Sequence, residues 1–151
     1  MATFEADVIL SCSCETAFDF LVQPENILKI LPPDSGVNYL NVPQRFELGS
    51  IIEFELTGLG PVQRIVHEIV EFDQPNRFTE RQIKGPLKAF EHWHVVEESD
   101  NGGIRVIDRV EFMPPGGLAG FLVTESRILE TLQRGIEYRH RELKRILEQA
   151  P

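Results

Sequence analysis

Polar and apolar residues alternate most clearly between residues 78 and 112. Side chains in a strand alternate faces with period two, so this stretch predicts three strands, with turns at residues 85–86 and 99–103. One parity is placed inward and mixes apolar with polar groups: Phe78, Glu80, Gln82, Phe90, His92, His94, Val96, Val106, Asp108, Val110 and Phe112. The other parity is mostly charged and is assigned to solvent: Thr79, Arg81, Glu91, Trp93, Val95, Glu97, Arg105, Ile107, Arg109 and Glu111.

The first half of the chain predicts strands and two short helices. Residues 4–12 favour a strand, after which Ser13 is a good N-cap for a helix over residues 14–22. Pro24 suits the start of a second short helix, which ends before Pro32-Pro33. Further strands are predicted over residues 51–56 and 62–72, with a turn at residues 58–61.

Residues 118–148 predict one long helix after a Pro-Pro-Gly-Gly stop. Its apolar residues recur at steps of three, four and seven, which is typical of a helix with one buried stripe. They are Leu118, Leu122, Leu129, Leu132, Ile136, Leu143 and Leu147. Glu125 and Arg139 fall near this stripe, and His140 flanks it.

This order of elements predicts an α+β fold in one domain, residues 1–151. Short connections between consecutive strands favour an antiparallel meander. A strongly bent sheet can wrap around one long helix and leave a cavity between the two, closed on one side by the short helices.

Several local patterns resemble the START-like, helix-grip superfamily (SRPBCC), which includes lipid-transfer domains and aromatic polyketide cyclases. Residues 17–21 followed by Pro24-Glu25-Asn26 are similar to its first strand-to-helix segment, and residues 135–140 to its last helix. A bacterial subgroup labelled cell-division-inhibitor-like is similar at these positions: Phe78, Glu80, Gln82, Gly85, Pro86, Phe90, His92, His94, Asp108, Phe112, Pro114 and Gly116. Phe90 stands where that subgroup tends to have tryptophan.

The resemblance implies a helix-grip fold, with a curved antiparallel sheet of about six or seven strands around the C-terminal helix. It also implies that the protein binds hydrophobic small molecules. It implies no single reaction, because function depends on the site rather than on the fold.

Composition narrows the class of partner. The formal net charge of −9 argues against nucleic acid and against docking on anionic lipid by charge. No run of about 18 apolar residues predicts a membrane span, and the N-terminus has no secretory signal pattern. Only two cysteines are present, so a disulfide framework is not expected and a cytoplasmic protein is the simplest interpretation.

Four inward residues are candidates for acid–base chemistry: Glu80, His92, His94 and Asp108. A carboxylate beside an imidazole fixes its tautomer and raises its pKa, as general acid–base work requires. Such a cluster can also be a self-satisfied structural network or a device that orients a ligand, and the structural network is favoured. The same four residues could supply metal ligands, but the spacing is unspecific and no metal or other cofactor is predicted. Cys12 and Cys14 are interpreted as small apolar fillers.

The leading hypothesis is a binding protein for a hydrophobic or amphipathic small molecule, such as a lipid, a polyketide or an aromatic compound. The predicted lining is Gln82, Phe90, His92, His94, Asp108, Val110, Phe112, Leu129, Leu132 and Ile136, with Glu80 at one end. Two alternatives stay open. One is a cyclase or dehydratase that uses an imidazole–carboxylate pair, and the other is a protein-interaction module with a filled core. Trp93 and Val95, expected on the exposed sheet face, would suit a homodimer contact.

Overall fold

The computed structural model describes residues 1–58 and 60–149, and within them a seven-stranded antiparallel sheet packs against helices. The elements are β1 (Ala2–Leu10), α1 (Cys14–Leu21), α2 (Pro24–Lys29), β2 (Val37–Asn41), β3 (Ile51–Leu56), β4 (Gln63–Asp73), β5 (Arg77–Lys84), β6 (Ala89–Glu98), β7 (Ile104–Met113), α3 (Ala119–Leu122) and α4 (Glu125–Leu147). The strand order is β1-β7-β6-β5-β4-β3-β2. The predicted α+β fold, with a curved meander around a C-terminal helix, is confirmed. Leu59, in the predicted turn at 58–61, lies outside the described residues.

The predicted parity of β5, β6 and β7 agrees with the structure, with one exception. Glu80 lies opposite His92, and His94 lies opposite Asp108. Thr79, assigned to solvent, is only 2% exposed. The sheet is irregular where β4 meets β5, and the Thr79 hydroxyl donates to the Glu71 carboxylate at 2.9 Å.

The outer face of β6 is less open than predicted. Trp93 and Val95 are both half-buried. The guanidinium of Arg109 lies over the Trp93 ring, 5.9 Å from its centroid. A homodimer contact through this face stays a prediction.

Helix α1 begins where the sequence predicts. The hydroxyl of Ser13 accepts from the backbone N–H of Thr16 at 3.1 Å, as a helix N-cap does. The preceding strand was predicted to end two residues too late, because β1 ends at Leu10, which pairs with Ile104 at the start of β7. Cys12 therefore lies beyond the strand, half-buried against the core.

The C-terminal helix is two helices, so the prediction of one helix over 118–148 is wrong. Val123 leaves the helical conformation and ends α3. Thr124 is extended, and its hydroxyl accepts from the N–H of Arg127 at 3.3 Å to cap α4. Leu118 and Leu122 lie before the interruption and are 84% and 62% exposed. None of the described helices is long and apolar enough to cross a membrane.

The apolar core has two parts. The larger part packs α1 and α2 against one end of the sheet, around Phe18, Phe78 and Leu143. The smaller part comprises Val110, Phe112 and Ile136, with further half-buried apolar residues. The sheet and α4 contribute to both parts, so α4 is fixed at two points along its length.

The Thr124 cap can be tested by substitution. We expect Thr124→Ala to lower the free energy of unfolding by about 1 kcal/mol, because a backbone N–H at the start of α4 loses its acceptor. Urea unfolding measures this change. Ser126→Ala is the matched control, since Ser126 is exposed in the same first turn and should leave stability nearly unchanged. Equal effects of the two substitutions would contradict the capping role.

Candidate functional site

All four histidines of the chain meet two carboxylates and one guanidinium between the sheet and α4. We call this group the histidine cluster: His67, Glu80, His92, His94, Asp108, Arg139 and His140. Four adjacent strands, β4 to β7, and the helix contribute to it. Six of its members are at most 9% exposed, and the Glu80 side chain is 17% exposed. Such groups are costly to bury unless they satisfy one another.

Asp108 is the most buried member, with no exposed surface. One carboxylate oxygen accepts from Nε2 of His140 at 2.6 Å, and the other accepts from Nε2 of His92 at 2.8 Å. Nε of Arg139 lies 3.5 Å from the second oxygen. Burial raises the pKa of Asp108, but the charge of Arg139 and the hydrogen bonds from the imidazoles outweigh it and hold the pKa well below its usual value.

Glu80 faces three imidazoles. Its carboxylate lies 3.3 Å from Nδ1 of His67, 3.1 Å from Nε2 of His94 and 3.5 Å from Nδ1 of His92. Burial raises the pKa of Glu80, and the hydrogen bonds from these imidazoles hold it well below its usual value. Both acids of the cluster are therefore ionised.

His92 lies between the two acids and is the member best placed to carry a positive charge. Each ring nitrogen faces a carboxylate, and only the doubly protonated ring can donate from both. Burial lowers the pKa of His92, but the hydrogen bonds with Asp108 and Glu80 outweigh it and raise the pKa. The two negative charges of the carboxylates are then balanced by the positive charges of Arg139 and a protonated His92.

His94 is held in the neutral form. Nη2 of Arg139 donates to its Nδ1 at 3.0 Å, which leaves Nε2 to donate to Glu80. Burial, then the charge of His92 and that of Arg139, lower the pKa of His94 against the hydrogen bonds to the acids. The ring stacks on Phe78 at 4.2 Å and on His92 at 3.8 Å between centroids, so it is fixed on both faces.

A cavity of about 700 Å³ lies between the sheet and the helices, next to the histidine cluster. Its wall is mainly apolar: Ile27, Leu31, Val37, Ile52, Phe54, Leu56, Ile65, Leu87, Phe90, Leu122, Val123, Ile128, Leu132 and Ile136. Leu122 is both part of this wall and 62% exposed, which places it at the mouth.

Polar groups also reach the cavity wall: Tyr39, His67, Glu80, Gln82, His92 and Arg139. Nδ1 of His67 faces Glu80, which leaves Nε2 without a protein partner in the described part of the chain. The ring of His67 is stacked on Phe90 at 5.1 Å and meets Phe54 edge-on. Burial and the charge of Glu80 raise the pKa of Tyr39, so its hydroxyl stays protonated as a hydrogen-bond donor.

The structure divides the predicted lining into two groups. Gln82, Phe90, His92, Leu132 and Ile136 line this cavity, with Glu80 beside them. The other predicted residues are not part of its wall: His94, Asp108, Val110, Phe112 and Leu129. His94 and Asp108 belong to the histidine cluster behind the wall, and the three apolar residues belong to the smaller core.

Three members of the cluster were missed as site residues: His67, Arg139 and His140. His67 shares a parity on β4 with Ile65 and Ile69, which are both buried, and this alternation was the available signal. For Arg139 and His140 the only sequence signal was their position near the apolar stripe of the helix, and this signal is weaker. Charged residues beside such a stripe usually reach solvent, so sequence alone does not separate these two from the others.

Known proteins match this chain by structure and not by sequence. No family model matches, and no curated protein sequence is similar. TTHA0849 from Thermus thermophilus has a TM-score of 0.72 at 17% identity, covering 97% of each chain. KanY protein has a TM-score of 0.73 at 15% identity, again covering 97% of each chain. The major latex-like protein 151 of Panax ginseng has a TM-score of 0.68 at 12% identity, covering 99% of this chain and 98% of its own.

These similarities span almost the entire chain and confirm the helix-grip fold that the sequence resemblance implied. At identities of 12% to 17% they establish the arrangement of strands and helices. They assign no ligand and no reaction, which must be argued from the side chains.

The lowered pKa values of Asp108 and Glu80 make the stability of the protein depend on pH. Both acids bind protons more readily in the unfolded chain than in the fold, so acid favours unfolding. We expect the free energy of unfolding to fall below about pH 5, and to keep falling as the pH passes through the folded pKa values. Urea unfolding followed by Trp93 fluorescence at a series of pH values measures this dependence.

The substitution Asp108→Asn separates the contribution of Asp108 to this pH dependence from that of Glu80. The groups that face this carboxylate are His92 and His94 from β6 and Arg139 and His140 from α4. We expect a loss of about 3–5 kcal/mol at neutral pH, because buried cations lose their partner, and a shallower acid decline. Asp100→Asn, the same change in an exposed turn, should keep the wild-type curve. An unaltered acid decline in Asp108→Asn would show that Asp108 does not cause it.

Proposed function

We propose that the protein binds a hydrophobic or amphipathic small molecule in the cavity between the sheet and α4. The observation that carries this proposal is the cavity itself, with about 700 Å³ of space, a mainly apolar wall and a few polar groups. Small-molecule sites typically have about 300–1,000 Å³ and this division between apolar area and orienting groups. The shared fold supports the proposal, since the resemblance to the helix-grip superfamily also implies the binding of hydrophobic small molecules.

The polar groups narrow the chemical class of the ligand. Nε2 of His67 is an acceptor when Nδ1 donates to Glu80, whereas the Tyr39 hydroxyl is a donor. A ligand with a hydroxyl or carbonyl group at one end and an apolar body fits this combination. Lipids, polyketides and aromatic compounds with oxygen substituents are the candidate classes.

Gly135 provides space in the middle of the helix wall. Ile128, Leu132, Gly135 and Arg139 follow one another at steps of four, three and four residues, and all four line the cavity. A Cβ built at Gly135 meets no other atom within 4 Å. Glycine is unfavourable inside a helix by about 1 kcal/mol relative to alanine, so the open space has a cost in stability.

This geometry predicts a variant that folds and does not bind. Gly135→Phe places a ring in the cavity while improving the helix propensity of α4, and we expect ligand affinity to fall at least about tenfold. Fluorescence of 1-anilinonaphthalene-8-sulfonate, and its displacement by the native ligand, measures affinity. Gly135→Ala is the matched control and should bind like the wild type with a raised melting temperature. Unchanged binding by Gly135→Phe would refute the proposed location.

The ligand can be identified from the protein as purified. Native mass spectrometry followed by organic extraction should give a reproducible extra mass from the wild type. Gly135→Phe, purified in the same way, should lack that mass. An identical extra mass in both proteins would mean that the molecule is bound elsewhere.

A second candidate function, acid–base catalysis on a carbonyl compound, is favoured by one observation. His67 pairs with Glu80 on one ring nitrogen and presents the other to the cavity, which is the geometry of an oriented general base. Of the predicted pairs, His94 with Asp108 lies behind the cavity wall. His92 with Glu80 lines the cavity, but both ring nitrogens of His92 face carboxylates.

Histidine NMR titration tests this candidate. A general base requires that His67 titrate between about pH 5 and 8 and that its resonances respond to the bound ligand. His67→Gln should then abolish turnover of the extracted ligand while binding persists. A His67 that does not titrate in this range excludes the catalytic role and leaves binding alone.

A further inference from the structure

Three donor atoms of the histidine cluster lie close together beside the cavity. They are Oε1 of Glu80, Nδ1 of His92 and Nε2 of His94, and ligand atoms of these three residues lie within 4.8 Å of one another. Oε1 of Glu80 is 3.5 Å from the His92 nitrogen and 3.1 Å from the His94 nitrogen. Neighbouring ligands of a zinc-sized ion, with bonds of about 2.1 Å, are separated by roughly 3.0–3.4 Å, so the two spacings that involve Glu80 are close to those around one ion.

The sheet holds the three donors in place. His92 and His94 alternate on β6 and therefore share one face, and Glu80 is the β5 residue directly opposite His92. Adjacent strands in fixed register are a more precise platform than loops. Two imidazoles from an H-x-H pair and one carboxylate from the neighbouring strand form a compact three-ligand group.

Asp108 occupies the position of a supporting carboxylate behind this group. Its Oδ1 lies 2.8 Å from Nε2 of His92 and 3.4 Å from Nδ1 of His94. These are the ring nitrogens that the three-ligand group does not use. Metal-binding histidines commonly donate their other N–H to a carboxylate, which fixes the ring and strengthens the ligand.

The charges around the group favour a cation. Glu80 and Asp108 bring two negative charges and Arg139 brings one positive charge, which leaves one negative charge. The proton on Nδ1 of His92 balances it, and an ion bound to Nδ1 would take the place of that proton, which is released to solvent. Arg139 donates to Nδ1 of His94. With an ion on Nε2, that Nδ1 would carry the proton and donate to Asp108, while Arg139 keeps its ion pair with Asp108.

We propose that Glu80, His92 and His94 form a site for a divalent first-row transition metal ion. The donor set of two imidazoles and one carboxylate suits zinc, iron(II) or cobalt(II), and three protein ligands leave coordination positions open. Glu80 and His92 line the cavity, so an open position faces the space where a ligand oxygen would lie. The spacing of these residues in sequence was too unspecific to predict a metal, and it is their convergence that carries the proposal. Metal binding here does not depend on the proposed function.

Titration with zinc chloride alone tests the site, after chelator treatment of the purified protein. Isothermal titration calorimetry should show one equivalent bound, and cobalt(II) should develop the visible absorption of an ion with nitrogen ligands. We expect His92→Gln and His94→Gln each to weaken binding at least about tenfold. His140→Gln is the control, because it removes a buried imidazole of the cluster that is not one of the three donors.

Nitrogen NMR of the wild type identifies the histidine nitrogens that bind zinc, so it tests the site even if a variant fails to fold. Zinc should shift Nδ1 of His92 and Nε2 of His94, and leave the nitrogens of His67 and His140 much less affected. Absence of zinc binding by the wild type would overturn the proposal. So would zinc shifts at other histidine nitrogens, or equal losses of affinity in all three variants.

Discussion

The buried carboxylate of Asp108 is the constraint on which the rest of the structure depends. It has no exposed surface and stays ionised, so the fold must surround it with donors. The neighbouring strand supplies His92 and His94, and the helix supplies Arg139 and His140. A buried charge stripped of its partners costs several kcal/mol, so α4 can dock on the sheet only in the register that delivers both Arg139 and His140 to this carboxylate.

This constraint also explains why the core has two apolar parts. Polar groups from four strands and one helix lie between them, and the aromatic rings beside them cover the imidazoles: Phe78 stacks on His94, and Phe90 stacks on His67. The network is nearly self-sufficient. Arg139 Nε is the one fully buried side-chain nitrogen or oxygen without a hydrogen bond in the described part of the chain, and it still lies 3.5 Å from Asp108. Polar groups that remain unsatisfied by protein, such as Nε2 of His67, are found on the cavity side.

The sequence predicted the sheet better than the helix, for a physical reason. Period-two alternation reports directly on which face of a strand is buried, so Glu80, His92, His94 and Asp108 could be placed inward together before their contacts were known. The two short turns limited their register only to within a residue or two. The helix stripe is less informative. Leu118 and Leu122 have the spacing of the stripe, yet they lie before α4 begins. Only the cap at Thr124 marks the true start of α4, and a threonine inside a helical pattern is a weak signal.

Cavity shape could not be predicted because it depends on how two surfaces fit together. Val110, Phe112 and Leu129 have the same apolar character and parity as residues that line the cavity, yet they fill the smaller core beside it. Ile136 belongs to both groups, since it is part of the smaller core and also lines the cavity. A missing side chain at Gly135 opens space that no local pattern reveals.

Successive turns of α4 meet four different environments. Ile128 and Leu132 form apolar wall, Gly135 leaves room, and Arg139 enters the histidine cluster. One turn later, Leu143 is fully buried in the larger core. The interruption of the helix before Thr124 lets Leu122 and Val123 turn over the cavity instead of extending the helix away from it. Because the contacts of Arg139 and His140 with Asp108 hold the helix against the sheet, a cavity can persist along the same helix without collapsing into ordinary core.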